Sequence, residues 1–488
     1  MARKVSTHEV SQHSCDDDIW IVVNGRVYDV TGFAPEHPGG AKIIYQFAGR
    51  DASQTYNSTH SPSLINDLDD HSIGELDTST ITEEWSREEE PPKALNSADR
   101  AYQKPALEDI LNLDDFEQVA MNTLSPKSWA YNSGAANDNF TRDANRSFFR
   151  DIWFRPAIMR DVSVVNTKST LFGCDLDIPV YISPVGAAKT VCEDGELALT
   201  RGTATSGIAY CISTMASYPL SEILDATSKQ AFYQLYINKD RPKTEALIRQ
   251  AQNSGKVKAL FVTADLPVMS KREADERTKP DGNTVLISVT QDSNPGGKKS
   301  AGLSKSNSAM IDSTLNWNDL KWLRNITDIP ILVKGIQRAE DALIAMQVGC
   351  DGIVISNHGG RAADTAPPAI LILLEIHRYC PEIFGEMKVL VDGGFRRGSD
   401  IVKAICLGAS AVGLGRPFQY AVGYGQEGVE HAVELIKEEI RTSMQLVGMT
   451  DLMRDASPTY INTAKVEQWM PPNYPSGPKS FMRRLLKL

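Results

Sequence analysis

The sequence has few of the features that would place the protein across a membrane, in a disulfide-bonded scaffold or on nucleic acid. Its 488 residues contain no uncharged apolar run of about 18 residues, so no transmembrane helix is expected. The seven cysteines are dispersed and form no C-x-x-C pair, which argues against a disulfide framework and a zinc site. The net charge is −11, so nucleic acid is not an expected partner.

Recognisable targeting signals are also lacking. The N-terminus MARKVSTHEV has neither the apolar core of a secretory signal nor the long Arg- and Ser-rich pattern of a mitochondrial presequence. At the other end, Leu486-Lys487-Leu488 is only a poor relative of the peroxisomal S-K-L signal. These residues leave the compartment open.

The length predicts at least two domains, because a single core rarely grows to 488 residues. An acidic stretch with two adjacent prolines, residues 81–104, is typical of an interdomain linker. We expect a small α+β domain over 1–80, an α/β domain over 105–465 and a tail over 466–488. Residues 1–80 hold five basic and twelve acidic residues, a net charge of −7. A basic protein partner would explain that charge, and so would solubility alone.

The N-terminal segment combines a hairpin pattern with two histidines. Two apolar runs flank Asn24-Gly25, which predicts a type I′ turn. His37-Pro38-Gly39-Gly40 follows, and His60 comes 23 residues after His37. Two neutral imidazoles can ligate a haem iron from opposite faces. From residue 5 to about 78 the segment resembles the cytochrome b5 domain, which implies haem b with His37 and His60 as axial ligands.

The second domain shows eight short apolar runs alternating with helical stretches. They are PVYIS (179–183), IAYCIS (208–213), AFYQLY (231–236), ALFVTAD (259–265), PILVKG (330–335), GIVISN (352–357), KVLVDG (388–393) and SAVGLG (410–415). Eight such units predict a (β/α)8 TIM barrel, and the absence of G-x-G-x-x-G after the first run disfavours an open doubly wound sheet. Residues 279–310, rich in Gly, Ser, Lys and Asn, predict a long loop over the barrel mouth.

Polar residues concentrate at the ends of these runs, where a barrel forms its active site. The sixth run ends in His358 and Arg361 on a glycine-rich turn, and these residue types suit proton abstraction and a two-pronged grip on a carboxylate. The seventh and eighth runs end in glycine turns typical of a phosphate site.

With W-A-Y-N-S-G-A at 129–135 and F-F-R-D-I-W-F-R-P at 148–156, these motifs resemble the FMN-dependent L-2-hydroxy acid dehydrogenases and oxidases from about residue 107 to 460. The resemblance implies the following roles. Arg361 and Tyr131 hold the substrate carboxylate, His358 takes a proton, Asp265 stabilises the imidazolium, Tyr236 binds the hydroxyl, Arg272 adds positive charge and Lys334 adjoins the flavin N1–O2 edge. The implied FMN contacts are Ser213, Gln234, Thr263, Lys334, Asp392, Gly394, Arg396, Gly415 and Arg416.

A haem module ahead of this barrel resembles the members of the family that pass electrons from L-lactate to cytochrome c. That fusion implies a small L-2-hydroxy acid as substrate, FMN and haem b as cofactors, cytochrome c or another one-electron acceptor, and a homotetramer. It also implies the mitochondrial intermembrane space, with the cytoplasm and the peroxisome as alternatives.

Three positions depart from the family pattern. Val185 stands where the family usually has Thr, Gly186 where it has Ala, and Met215 on the substrate side. They leave open whether L-lactate or a bulkier acid such as L-mandelate is preferred. An oxygen-using oxidase, a non-catalytic haem sensor with a decayed barrel and a different FMN barrel enzyme such as an isomerase are the rival interpretations. Hydride and carbanion mechanisms also stay open.

Overall fold

The structure is a computed structural model. Its described residues divide into two compact units, and the boundary between them in the sequence follows residue 101. It describes residues 3–471 apart from 16, 35–43, 46, 54–55, 57–64, 66–67, 70, 83–84, 86–101 and 279–310. The predicted loop over 279–310 and most of the predicted linker therefore lie outside the described residues.

The first unit contains a mixed sheet, the α-helix α1 at Thr7–Gln12 and a 3-10 helix at Thr78–Thr80. Its strands are β1 Lys4–Val5, β2 Ser14–Cys15, β3 Asp18–Val23, β4 Arg26–Asp29, β5 Arg50–Asp51 and β6 Ser72–Leu76. The path runs β1-β6-β4-β3-β2, and β5 also pairs with β3. Asn24 and Gly25 have φ of 52° and 76° between β3 and β4, which confirms the predicted type I′ turn.

The second unit is built on a closed eight-stranded parallel barrel, as the sequence predicts. Its strands are β10 Val180–Ile182, β11 Ala209–Ser213, β12 Ala231–Leu235, β13 Val257–Thr263, β14 Ile331–Ile336, β15 Gly352–Ile355, β16 Lys388–Asp392 and β17 Ala411–Leu414. Pairing of β10 with β17, with Val180 opposite Val412, closes the barrel.

Helices cover and precede the barrel. They are α2 Leu113–Thr123, α3 Pro126–Ser133, α4 Phe140–Ser147, α5 Gly195–Ser206, α6 Leu220–Ala226, α7 Arg241–Asn253, α8 Glu273–Arg277, α9 Asp319–Ile326, α10 Ala339–Gln347, α11 Ala369–Tyr379, α12 Ile383–Glu386, α13 Gly398–Cys406, α14 Arg416–Ala421, α15 Gly425–Val447, α16 Leu452–Asp455 and α17 Ala464–Glu467. Short strands β7 Trp153–Phe154 and β18 Ile461–Asn462 pair with each other, as do β8 Ser169–Leu171 and β9 Cys174–Leu176. Within the described ranges, no helix is both long and apolar enough to cross a bilayer.

The barrel interior has two layers that differ in chemistry. The lower layer comprises Tyr181, Cys211, Phe232, Phe261, Leu332, Val354, Leu390 and Ala411, all fully buried. The upper layer lies two residues further along each strand and comprises Ser183, Ser213, Gln234, Thr263, Lys334, Ser356, Asp392 and Gly413. Because side chains alternate between the faces of a strand, residues two apart both point inward. The hairpin β8–β9 packs its apolar residues into the same cluster as the lower layer.

Candidate active site

A cavity of about 490 Å³ lies at the carboxyl ends of the barrel strands, within the size range of ligand and cofactor sites. Most of the residues predicted from the sequence line it. They are Tyr131, Ser213, Gln234, Tyr236, Thr263, Arg272, Lys334, His358, Arg361, Asp392, Gly394, Arg396, Gly415 and Arg416. Asp265 does not line the cavity but lies behind His358, so the structure brings all of the predicted barrel residues into one region.

His358, Asp265 and Tyr236 form a hydrogen-bonded group at the mouth. His358 Nδ1 lies 2.9 Å from Asp265 Oδ1, and the Tyr236 hydroxyl lies 3.4 Å from His358 Nε2. A tight turn places the His358 side chain in this group. His358, Gly359 and Gly360 have φ of 59°, 63° and 80°, and glycine adopts such left-handed angles readily. A bond from Nδ1–H to the carboxylate would fix the tautomer that leaves Nε2 free to accept a proton.

The charges around His358 favour a neutral imidazole beside an ionised carboxylate. Burial lowers the pKa of His358, and Lys334 lowers it further, while the Asp265 carboxylate opposes both effects. Burial disfavours ionisation of Asp265, but His358 and Lys334 together hold the pKa of that carboxyl below its usual value. Lys334 Nζ lies 4.0 Å from Asp265 Oδ2 and 3.9 Å from Asp392 Oδ2, and these carboxylates outweigh burial and raise the pKa of Lys334.

A second group of residues presents positive charge to the same mouth. The guanidinium of Arg361 lies 5.0 Å from the ring centre of Tyr131 on α3. Arg272 is buried, and its pKa is lowered to about 9 by burial and by repulsion from Arg361. Ser270 holds the two arginine-bearing segments together, since its hydroxyl donates to the Arg361 carbonyl at 2.6 Å and accepts from Arg272 Nε at 3.4 Å. Two close guanidinium groups favour an anion between them.

The upper layer carries a connected polar network deeper in the cavity. Gln234 Nε2 donates to the Thr263 hydroxyl at 2.8 Å, and the Ser213 hydroxyl donates to Gln234 Oε1 at 3.2 Å. Lys334 Nζ donates to the Ser356 hydroxyl at 3.2 Å. Asp392 Oδ1 is buried without a hydrogen-bond partner among the described residues, which marks a place for a donor from a ligand.

The far end of the cavity combines glycine turns with arginines. Gly393 and Gly394 have φ of 102° and 84°, and a Cβ at Gly394 would lie 2.2 Å from the Asn145 carbonyl oxygen. Arg396 pairs with Glu117 on α2 at 3.0 Å. All three nitrogens of the Arg416 guanidinium donate to backbone carbonyls, those of Asn132, Gly134 and Gly359. Arg416 therefore ties α3 to the His358 turn, a role that its position after β17 does not predict.

These features fit FMN. Buried amide and hydroxyl groups suit the flavin ring, the unpartnered Asp392 oxygen suits a ribityl hydroxyl, and a glycine turn between two arginines suits a phosphate. In the first unit, the predicted haem ligands His37 and His60 lie outside the described residues. Elsewhere, the described part of the chain contains no cluster of three or more His, Cys, Asp or Glu side chains able to hold a metal.

Sequence reasoning missed several residues of the site. Asn145 and Asn357 exchange two amide hydrogen bonds of 2.8 and 2.9 Å and join α4 to the turn before His358. Met269 and Ile311 add apolar surface to the mouth. These contacts join segments far apart in the chain, so no local pattern marked them. Ser356 and Gly413 could have been found, since they continue the two-residue alternation of their strands.

Comparison with known proteins agrees with this geometry. Residues 120–463 match the model of the FMN-dependent dehydrogenase family, and residues 6–77 match the cytochrome b5-like heme/steroid binding domain. The chain therefore belongs to the FMN-dependent dehydrogenase family and carries a cytochrome b5-like domain, which makes it an oxidoreductase with FMN and haem b as cofactors.

Individual relatives share both domains or the barrel. An L-lactate dehydrogenase (cytochrome) of Wickerhamomyces anomalus is 38% identical over 94% of this chain and 79% of its own length. The flavin-binding domain of baker's yeast flavocytochrome b2 superposes with a TM-score of 0.67 at 36% identity, covering 78% of this chain and 92% of that one. A mandelate oxidase structure with (S)-4-hydroxymandelic acid gives a TM-score of 0.67 at 31% identity, covering 72% and 98%.

Proposed function

We propose that this protein oxidises an L-2-hydroxy acid, with L-lactate to pyruvate as the reference reaction, and passes the electrons through haem b to cytochrome c. The observation that carries the proposal is the His358–Asp265 pair at 2.9 Å, which faces a mouth that also presents Arg361 and Arg272. A base beside two cations suits a substrate that carries both a carboxylate and a hydroxyl. Relatives named L-lactate dehydrogenase (cytochrome), 38% identical over more than 90% of this chain, support the same substrate and acceptor.

Arg361 and Tyr131 bind the substrate carboxylate in this scheme, and Arg272 adds charge beside it. Tyr236 orients the substrate hydroxyl, because its own hydroxyl lies 3.4 Å from the base. His358 Nε2 accepts the proton, and the buried Asp265 carboxylate stabilises the imidazolium that forms.

FMN supplies the two-electron acceptor when bound. Ser213, Gln234 and Thr263 would hold the flavin ring, Asp392 the ribityl chain, and Gly394, Arg396, Gly415 and Arg416 the phosphate. Lys334 would lie at the N1–O2 edge of the ring, where its buried positive charge favours negative charge on a neighbouring group.

A bulkier substrate such as L-mandelate is the second candidate. An apolar wall lines the mouth and is formed by Val185, Gly186, Met215, Met269 and Ile311. A side chain larger than the methyl group of lactate would bury more apolar surface against this wall, at about 25 cal/mol per Å². The matching mandelate oxidase fold is consistent with this alternative.

The decisive experiment is an anaerobic titration of the purified protein with L-lactate and L-mandelate, followed through the flavin and haem absorption bands. We expect the flavin to bleach and the haem to reduce afterwards. Admitting air to the reduced protein separates this function from that of an oxidase. An oxidase would regain the spectrum of oxidised flavin as fast as it turns over, whereas this protein should regain it more slowly. Absence of bleaching with every 2-hydroxy acid would contradict the proposal.

The electron route is tested by His60→Ala, which removes a proposed axial ligand. Bleaching of the flavin by substrate should persist, since it depends on barrel residues, while reduction of cytochrome c collapses and ferricyanide is still reduced. The charge of −7 on residues 1–80 would steer a basic acceptor. Reduction of cytochrome c should therefore slow as salt brings the screening length below about 10 Å. A normal rate of cytochrome c reduction in this variant would show that the haem does not carry the electrons.

Two further proposals rest on membership of the family alone. We propose a homotetramer, which light scattering on the eluting protein tests directly. We also propose the mitochondrial intermembrane space, which fractionation of the source organism tests against the cytoplasm and the peroxisome.

A further inference from the structure

Glu196 is a buried carboxyl close to the substrate end of the cavity that the reaction scheme does not use. It lies in the first turn of α5 and is 0% exposed. Its Oε1 accepts two backbone hydrogen bonds, from the Ala188 and Ser217 N–H groups, both at 2.9 Å. The first donor belongs to the segment after β10, residues 183–190, and the second to the segment after β11, residues 214–218. One side-chain oxygen therefore joins two loops.

The two loops also contact each other directly. The Ala187 N–H donates to the Met215 carbonyl at 3.1 Å, and the Lys189 N–H donates to the Ser217 hydroxyl at 3.2 Å. Gly186 lies so close to Met215 that an added Cβ would be 2.7 Å from the Met215 carbonyl oxygen. Both Gly186 and Met215 line the cavity, so the contact fixes the spacing of two residues in its wall.

Two observations show that this arrangement of the loops includes energetically unfavourable features. Ala187 has φ of 57°, in the left-handed region that a residue with a Cβ rarely adopts without support from its surroundings. Glu196 Oε2 is buried and has no hydrogen-bond partner among the described residues. Burial accordingly raises the pKa of this carboxyl. The two N–H groups that this carboxyl satisfies account for its place, because the Ala188 N–H would otherwise be buried without a partner and the Ser217 N–H is partly buried.

We propose that Glu196 is a positioning residue for substrate selection: it sets the separation of Gly186 and Met215 and thereby the width of the apolar wall. The inference rests on the proposed function, since it concerns the side chain of a 2-hydroxy acid. Glu196 lies outside the cavity lining and acts through the backbone of the two loops. Loss of its oxygen would leave both N–H groups unpaired and let the loops separate.

The test compares Glu196→Ala with Glu196→Gln, which keeps an acceptor oxygen at the same reach. Glu375→Ala is the matched control, because Glu375 is also buried and accepts a backbone N–H, from Ala339 at 2.9 Å, but lies on α11 away from the cavity. Two quantities are measured on the FMN-loaded protein. One is the ratio of kcat/KM for L-lactate and L-mandelate. The other is the ratio of the Kd values of pyruvate and phenylglyoxylate, from flavin difference spectra.

We expect both ratios to change by about tenfold in Glu196→Ala, the equivalent of one lost hydrogen bond, and to stay within about threefold in Glu196→Gln and Glu375→Ala. Unchanged ratios in an FMN-loaded Glu196→Ala protein would overturn the inference, and so would equal changes in Glu196→Gln and Glu196→Ala. If Glu196→Ala does not fold, Glu196→Asp, which withdraws the acceptor by one bond, must show the same change. Failure of the wild-type protein to oxidise either acid would instead contradict the proposed function, and the Kd ratios would still test Glu196.

Discussion

The two layers of the barrel interior lie on the same eight strands, yet one is apolar and the other polar. In the lower layer, Phe232 and Phe261 stack with ring centres 5.3 Å apart, and Tyr181 meets both rings edge-on. In the upper layer, Lys334 and Asp392 lie 3.9 Å apart at the floor of the cavity. Two residues of chain therefore separate a close-packed core from a site that holds buried charge.

In this fold, stability and chemistry depend on different layers of the barrel interior. Burying the lower layer removes apolar surface from water and stabilises the closed barrel. Burying charges such as Lys334 and Asp392 disfavours folding unless partners compensate. If the division holds, changes in the upper layer and the loops above it should alter catalysis with little loss of stability, and changes in the lower layer should do the reverse.

The largest effect on catalysis is expected from His358→Gln, in the loop above the upper layer. Glutamine keeps polar contacts but cannot accept the substrate proton, so reduction of the flavin by L-lactate should slow by about 10²–10⁴-fold. FMN content should be unchanged. Anaerobic stopped-flow absorbance measures the rate, and His377→Gln on α11 is the control. A near wild-type rate of bleaching would show that His358 is not the base.

Arg361→Lys should have the next largest effect. Lysine keeps the charge but cannot form two parallel hydrogen bonds to a carboxylate, so kcat/KM should fall on the order of 10²-fold. The Kd of pyruvate, measured by flavin difference spectra, should rise in parallel. Arg324→Lys, at a surface ion pair with Asp351, controls for the substitution itself. An unchanged Kd and kcat/KM would remove Arg361 from carboxylate binding.

Asp265→Asn should change both the size and the pH dependence of the rate. The pKa of His358 lies below the usual 6.5, so the imidazole stays neutral at pH values somewhat below 6.5. The rate of flavin reduction should therefore fall with acid only below pH 6.5. Because the Asp265 carboxylate raises the pKa of His358, the asparagine variant should move the limb to still lower pH. Its maximal rate should fall on the order of tenfold, since the imidazolium loses its counter-charge. A limb that stays in place or moves to higher pH would contradict this coupling.

Gly186→Ala should have a smaller effect, confined to selectivity. The new methyl group would meet the Met215 carbonyl oxygen at 2.7 Å and force the loop after β11 to shift. We expect the ratio of kcat/KM for L-mandelate to that for L-lactate to fall by about threefold to tenfold, because only part of the overpacking cost of about 1–3 kcal/mol falls on the larger substrate alone. Gly385→Ala is the control, since a Cβ there meets nothing within 4 Å. Equal responses to the two acids would show that this contact does not shape the pocket.

The sequence predicted the barrel because its strands are continuous apolar runs buried on both faces, with polar residues at their ends. It predicted the barrel side of the cavity because Asp392 ends one strand and His358 and Arg361 lie on the turn after another. It did not predict that Arg416 binds three backbone carbonyls or that Arg396 pairs with Glu117, since both contacts join distant segments. It also did not predict that Gly186 permits a close approach to Met215, a contact between two loops. The proposed haem ligands lie outside the described residues and stay a prediction.

Phe232→Leu should have the smallest effect on catalysis and the clearest effect on stability. Phe232 is fully buried in the lower layer, and leucine would leave a gap beside Phe261 and Tyr181. We expect the free energy of unfolding to fall by about 1–3 kcal/mol, read as a lower guanidinium midpoint, while kcat stays within about twofold. Gln234→Leu, two residues further along β12, is the matched variant. It should weaken FMN binding because Gln234 joins Ser213 to Thr263, and it should change the midpoint much less. If Phe232→Leu slowed flavin reduction as much as it lowered stability, the two layers would not be separable, and the comparison would fail.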